Sequence, residues 1–220
     1  MAHTYMSFIC DKLNRTKTGV PVYSAVLAKE LAREFGLNPK AAAAAVAVTL
    51  KRVMDNRLIP ELRAYQKGIY YRTAATPFGE LGINREQLIA DKYLAPDIGY
   101  ETGPGALHRM GLTTQMPKER VLATNAAHDC LRVDKRLGVM IRPPKIRVTA
   151  ENKYYLQILD ALDMLEHSPV DAERPYEILA EHIRKLDLQY EALLALADSH
   201  YSQNTVLRLA HTASAGGAAV

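Results

Sequence analysis

The stretch Asn38-Pro39-Lys40-Ala41-Ala42-Ala43-Ala44-Ala45-Val46-Ala47-Val48-Thr49-Leu50-Lys51-Arg52-Val53, broken by Asp55-Asn56-Arg57 and followed by Leu58 to Tyr71, decides the fold. Asn38 can accept from the free amides of a helix start, and a proline at the first helical position sacrifices no hydrogen bond and has a helical φ already. Ala42, Val46, Thr49, Leu50 and Val53 recur at helical spacing and predict one buried stripe. The outward line is then Lys40, Ala43, Ala44, Ala47, Lys51 and Met54. From Leu58 to Tyr71 the pattern becomes two short strands about a turn near Gln66 to Gly68, a hairpin.

On the N-terminal side, Val20-Pro21-Val22-Tyr23 reads as extended, because a proline disfavours helix in the residue before it. Ser24 is expected to cap a helix that runs to Phe35 and stops at Gly36. Val26, Leu27, Leu31 and Phe35 would face its core, with Lys29, Glu30, Arg33 and Glu34 on the other side. A short helix from Ser7 to Leu13 comes first. Helix, turn, capped helix and hairpin in that order predict a winged helix-turn-helix DNA-binding domain over residues 1–75.

In that arrangement the second of the paired helices enters a major groove and the hairpin tracks phosphates. The candidate DNA-binding residues are Ser24, Lys40, Lys51, Arg52, Arg57, Arg63, Tyr65, Gln66 and Lys67. The outward alanines offer no hydrogen bonds to base edges and can only touch a thymine methyl. Affinity is therefore expected from the basic residues and the hairpin, and specificity from DNA shape or a second subunit; the alternative is that the alanines permit close packing against another helix.

Charge runs the same way. Residues 1–75 carry 12 Lys+Arg against 5 Asp+Glu, whereas residues 151–200 carry 4 against 11, so a basic front is followed by an acidic end. A basic segment suits an anionic partner such as nucleic acid. The acidic stretch, with Asp160, Asp163, Glu166, Glu173, Glu177 and Glu181, reads as solvated helix faces, with a docking surface for a basic partner or for the protein's own basic half as the alternative. Tyr154, Leu156, Ile158, Leu159, Leu162 and Leu165 read as core.

Residues 76–211 are expected to form a mixed α/β module with a helical end. It opens on a Pro/Gly-punctuated connector at Thr76 to Gly82. Helices are expected at Asn84 to Leu94, from Thr102 to Gly111, and at about 152–166, 174–186 and 188–200. Val121 to Thr124, Val139 to Ile141 and Ile146 to Val148 read as strands, and residues 212–220 as an unstructured tail. The fold class is α+β.

Several functions find no support. No apolar run approaches the roughly 18 residues a membrane span needs, and the N-terminus lacks a signal peptide's apolar core, so a cytoplasmic protein is expected. Cys10 and Cys130 read as buried thiols. There is no phosphate-binding Gly-Lys-Ser/Thr loop, nucleophile elbow or paired histidines at metal spacing. His128 and Cys130 lack a second pair at zinc-site spacing, and His108 reads as a packing residue. No cofactor, metal or catalytic residue is assigned, and the chain reads as a non-enzyme.

Gly68-Ile69-Tyr70-Tyr71, Tyr93-Leu94-Ala95-Pro96-Asp97, Gly99-Tyr100-Glu101-Thr102-Gly103, Ala106-Leu107-His108-Arg109-Met110-Gly111-Leu112-Thr113-Thr114-Gln115 and Ala123-Thr124-Asn125 together resemble AbiEi-type antitoxins, which belong to type IV toxin–antitoxin systems of abortive infection. The resemblance covers residues 15–165. It implies a winged helix that binds operator DNA and represses its own operon, and a C-terminal domain that counters a nucleotidyltransferase-like toxin without necessarily binding it. A homodimer would suit a palindromic operator. The alternatives are a stand-alone transcriptional regulator, or an RNA-binding or enzymatic module whose winged helix makes protein contacts.

Overall fold

The computed structural model describes residues 4–217, a mixed α+β chain with helices at both ends. It divides into two compact units, one ending at Leu88 and the other beginning at Ile89.

The first unit starts with α1 (Tyr5–Arg15), whose entry is closed by a reciprocal pair: Thr4 accepts from the Ser7 amide and Ser7 from the Thr4 amide. This capping box satisfies two donors that have no partner within the helix. A short strand, β1 (Val22–Tyr23), leads into α2 (Ser24–Phe35), which Gly36 ends at φ 64°, in the left-handed region that favours glycine. In α3 (Pro39–Asp55), Asn38 Oδ1 accepts from the Ala41 amide at 2.8 Å. The buried stripe is Ala42, Val46, Thr49, Leu50 and Val53, as the spacing predicts.

Two details differ. Val26 is 49% exposed and Ala28 takes its place in the α2 core face, while Met54 leaves the outward line of α3 and packs against the core. Both residues lie at the edge of an apolar stripe, where spacing alone decides least.

The chain then forms β2 (Leu62–Gln66) and β3 (Ile69–Arg72), joined through Lys67 and Gly68, with Gly68 at φ 80°. Pairing shifts between Ala64 and Gln66, so Tyr65 is the extra residue of a bulge. β1 pairs antiparallel with β3, giving the strand order β1-β3-β2. α1, α2, α3 and this small sheet enclose one core that includes Ile9, Leu13, Leu31, Val46, Leu50 and Leu62.

The first unit runs past the expected end at residue 75. The expected connector is a second hairpin, β4 (Ala75–Thr76) with β5 (Gly79–Glu80), followed by α4 (Arg85–Ile89). Thr73 Oγ1 donates to Leu81 O at 2.8 Å and the Asn84 amide to Gly19 O at 2.7 Å, tying these residues to what precedes them.

The second unit opens with a π-helical stretch, Ala90–Leu94, continuing α4. Its sheet contains β6 (Gly99–Thr102), β7 (Arg120–Thr124), β8 (Arg132–Asp134) and β9 (Val139–Arg142) in the order β6-β7-β9-β8, with β7 and β9 parallel. Between β6 and β7 lies α5 (Pro104–Arg109). Gly99 is obligatory here, because a Cβ would meet Tyr93 O at 2.2 Å and Ala123 O at 2.7 Å. Ile146 to Val148 is not a strand. The Val148 backbone is held instead by the Asn125 side chain, which accepts from its amide at 2.9 Å and donates to its carbonyl at 2.8 Å.

Four helices follow: α6 (Lys153–Met164), α7 (Pro175–Lys185), α8 (Tyr190–His200) and α9 (Gln203–Ala215). The last overturns the unstructured tail as far as Ala215: Ser202 caps it, and Thr205, Leu209, Thr212 and Ala213 are buried. Gly216 and Gly217 follow it as a turn, and the expectation for residues 218–220 lies outside the described residues. Asp160 is not on a solvated face either. It is 2% exposed and accepts from Tyr100 and Thr102 at Oδ2 and from Tyr201 at Oδ1, each at 2.9 Å, and pairs with Arg142. Tyr154, expected in the core, is 44% exposed. No helix among the described residues is long and apolar enough to cross a membrane.

Candidate nucleic-acid interface

α3 presents Ala43, Ala44 and Ala47 outward because Val46, Thr49, Leu50 and Val53 are drawn into the core beside Ala42. Lys40, Ala43, Ala44, Ala47, Lys51 and Arg52 are exposed along it. Val48, 50% exposed, adds an apolar side chain to that face which spacing did not single out. Among the described residues Lys40, Lys51, Arg52, Arg57 and Lys67 make no ion pair, so their charges stay available to an outside anion.

The remaining sequence candidates are placed less simply. Ser24 is the first residue of α2 and does not cap it; no side chain caps this helix. Its amide donates to Gly68 O at 2.9 Å, which ties the start of α2 to the turn of the β2–β3 hairpin and sets Lys67 beside it. Tyr65 is half-buried at the bulge, and Gln66, also half-buried, has a partner of its own. Arg57 follows the last turn of α3 at φ 50°, its amide donating to Met54 O at 3.1 Å.

Arg63 is engaged inside the protein. Its guanidinium donates to Glu80 Oε1 at 2.8 Å and Oε2 at 3.4 Å, and to Pro60 O at 2.6 Å. The bond to Glu80 holds the guanidinium pKa above its ordinary value, against a small desolvation effect. Arg63 sits near the start of β2, away from the turn, so the expected phosphate contact there meets a carboxylate already in place.

Reading spacing alone passes over Lys29 and Arg33. They flank a groove of about 370 Å³ between α2 and α3, floored by Ala25, Ala28, Ala32 and Ala43. The i, i+4 spacing of the two cations beside small residues is the signal that could have found them.

No protein-family model matches the chain, and no curated protein does. The interface is therefore read from its own geometry: a helix face of small residues with cations at both ends, a groove with two more, and a hairpin turn carrying Lys67. Such a surface can neutralise backbone phosphates at many points. It offers few side chains to hydrogen-bond bases.

His108 Nδ1–H donates to Thr113 O at 3.1 Å, and Glu101, 8% exposed, pairs with Arg109 and with Arg120. Cys10 is half-buried, whereas Cys130 is exposed rather than buried, because it lies in the loop before β8.

Proposed function

We propose that the first unit is a winged helix-turn-helix module that binds duplex DNA, with α3 in the major groove and the β2–β3 hairpin as its wing. One observation carries the reading. The element order α1-β1-α2-α3-β2-β3, with strand order β1-β3-β2, leaves the exposed face of α3 bearing Lys40, Lys51 and Arg52, which have no ion-pair partner among the described residues. A major groove admits one α-helix, and phosphates reward unpaired cations at its rims.

Extended by the resemblance of the motifs between Gly68 and Asn125, the proposal is an antitoxin of type IV that represses its own operon and opposes a nucleotidyltransferase-like toxin. The second unit would carry the antitoxin activity. Its Gly99 to Gly103 motif is the strand β6 and the turn after it, where Tyr100 and Thr102 hold the buried Asp160.

The test of DNA binding is a gel-shift titration of the full chain against its own upstream DNA and against random duplex of equal length. Preference for the upstream DNA, with affinity falling steeply as salt rises, is expected. Equal binding to both duplexes overturns the operator reading. Growth arrest by the product of a neighbouring gene, relieved by co-expression of this chain, tests the antitoxin reading; failure of relief overturns it.

A further inference from the structure

The second unit carries a basic cleft of its own. Lys92, from the π-helical stretch, and Arg132, Lys135 and Arg136, from β8 and the turn after it, line a hollow of about 440 Å³ walled by Tyr93 and Ile141. Asp134 is the one carboxylate among its lining residues. That carboxylate is spoken for: Oδ2 accepts from Lys92 Nζ at 2.9 Å and from the Tyr93 hydroxyl at 2.8 Å, and Oδ1 from the Arg136 and Leu137 amides at 3.1 and 3.2 Å.

The Asp134 hydrogen bonds do two things. They neutralise the acid, so the cleft keeps a positive balance from Arg132 and Lys135. They also pin the turn that presents Lys135 and Arg136. Arg132 spends Nη2 on Ala126 O at 3.1 Å, which orients the guanidinium while leaving its other N–H groups for a ligand. β8 is an edge strand of its sheet, and Val133 beside these cations is 55% exposed.

We infer that this cleft is a second nucleic-acid site, which holds backbone phosphodiesters through Arg132 and Lys135 independently of α3. A convergence of exposed cations around a hollow, with the local acid consumed internally, is the arrangement that rewards release of condensed counterions. Guanidinium groups add bidentate contacts to phosphate oxygens. The occupant is an extended polyanion rather than a buried cofactor, because the hollow is open along the strand edge.

The experiment is fluorescence anisotropy on the full chain, with labelled 20-nucleotide single-stranded RNA and 20-base-pair duplex DNA of random sequence as probes. The variants are Arg132→Gln/Lys135→Ala, alone and combined with Lys51→Ala/Arg52→Ala. The cleft variant is expected to weaken at least one probe by about tenfold and to lower the slope of log affinity against log salt by about 1.5 to 2. The same loss is expected in both backgrounds, which separates it from any failure of α3 to bind operator DNA. Loss confined to RNA names the cleft an RNA site, and loss confined to duplex extends the DNA footprint; either supports the inference. Unchanged affinity and slope for both probes overturns it, as does a loss seen only with a polyglutamate peptide. Circular dichroism checks folding, and Lys135→Ala alone, an exposed turn residue, provides the slope measurement if the double variant is unstable.

Discussion

Arg63 and Glu80 join the two hairpins of the first unit, guanidinium to carboxylate at 2.8 Å. Both side chains are well exposed, so solvent screens the pair and it adds little to stability. Its importance is for the proposed DNA binding, because it occupies a cation that would otherwise be open to a phosphate. Arg63→Ala is expected to leave DNA affinity and its salt slope nearly unchanged, whereas Lys67→Ala lowers the slope by about one. Glu80→Gln, which releases Arg63, should raise affinity at low salt. Anisotropy titrations over a salt series decide it; an equal loss of slope from Arg63→Ala and Lys67→Ala would mean that the pair opens on DNA.

Asp160 predicts a different loss. Replacing it with alanine strands Arg142 and the hydroxyls of Tyr100, Thr102 and Tyr201 in a buried space, and should destabilise the protein by about 3–5 kcal/mol in urea unfolding. Burial, and then the charge of Asp160, push the Tyr100 and Tyr201 hydroxyls well above the ordinary tyrosine range. A raised folded-state pKa favours the protonated native form, so this contribution is complete below pH about 10 and falls as pH rises further. In an alkaline spectrophotometric titration these two tyrosines should ionise only as the protein unfolds. Normal titration of all 12 tyrosines in folded protein would contradict the burial.

Asp134 works at the acid end. Burial would raise its pKa, but hydrogen bonds from Lys92, Tyr93 and the Leu137 amide outweigh that and hold it at about 2, below the ordinary 3.8. The native state therefore favours the carboxylate. Its stabilising contribution is present above pH about 4 and is lost as pH falls toward 2. Asp134→Asn should flatten the dependence of the urea midpoint on pH between those values, and an unchanged dependence would place the acid sensitivity elsewhere.

α9 turns an expected tail into part of the core. Leu209 is 2% exposed and Thr212 is fully buried, and the Tyr190 hydroxyl reaches Thr212 O at 3.5 Å. Leu209→Ala is expected to cost about 2–5 kcal/mol, and deletion from Thr212 onward should lower the melting temperature by several degrees. A dispensable tail would leave it unmoved.

What the sequence determined by itself was local. Asn38 and Pro39 announce the start of α3 through the hydrogen bonds a helix start lacks, and the recurrence of Val46, Leu50 and Val53 picks out its buried side by helical geometry alone. Gly68 and the apolar residues around it likewise announce the hairpin turn. Each signal is complete within a few residues.

Tertiary structure alone decided which charges remain free. Arg63 and Lys67 look alike in the sequence, yet one meets a carboxylate 17 residues away and the other meets solvent. Asp160 sits among acidic neighbours that suggest a solvated helix, but its partners come from residues 60, 58 and 41 positions distant. α9 is recognisable as structure chiefly because α6, α7 and α8 offer it a surface to bury. Caps and periodicity act through neighbouring backbone groups, whereas the state of a charge depends on what the fold brings within a few ångströms of it.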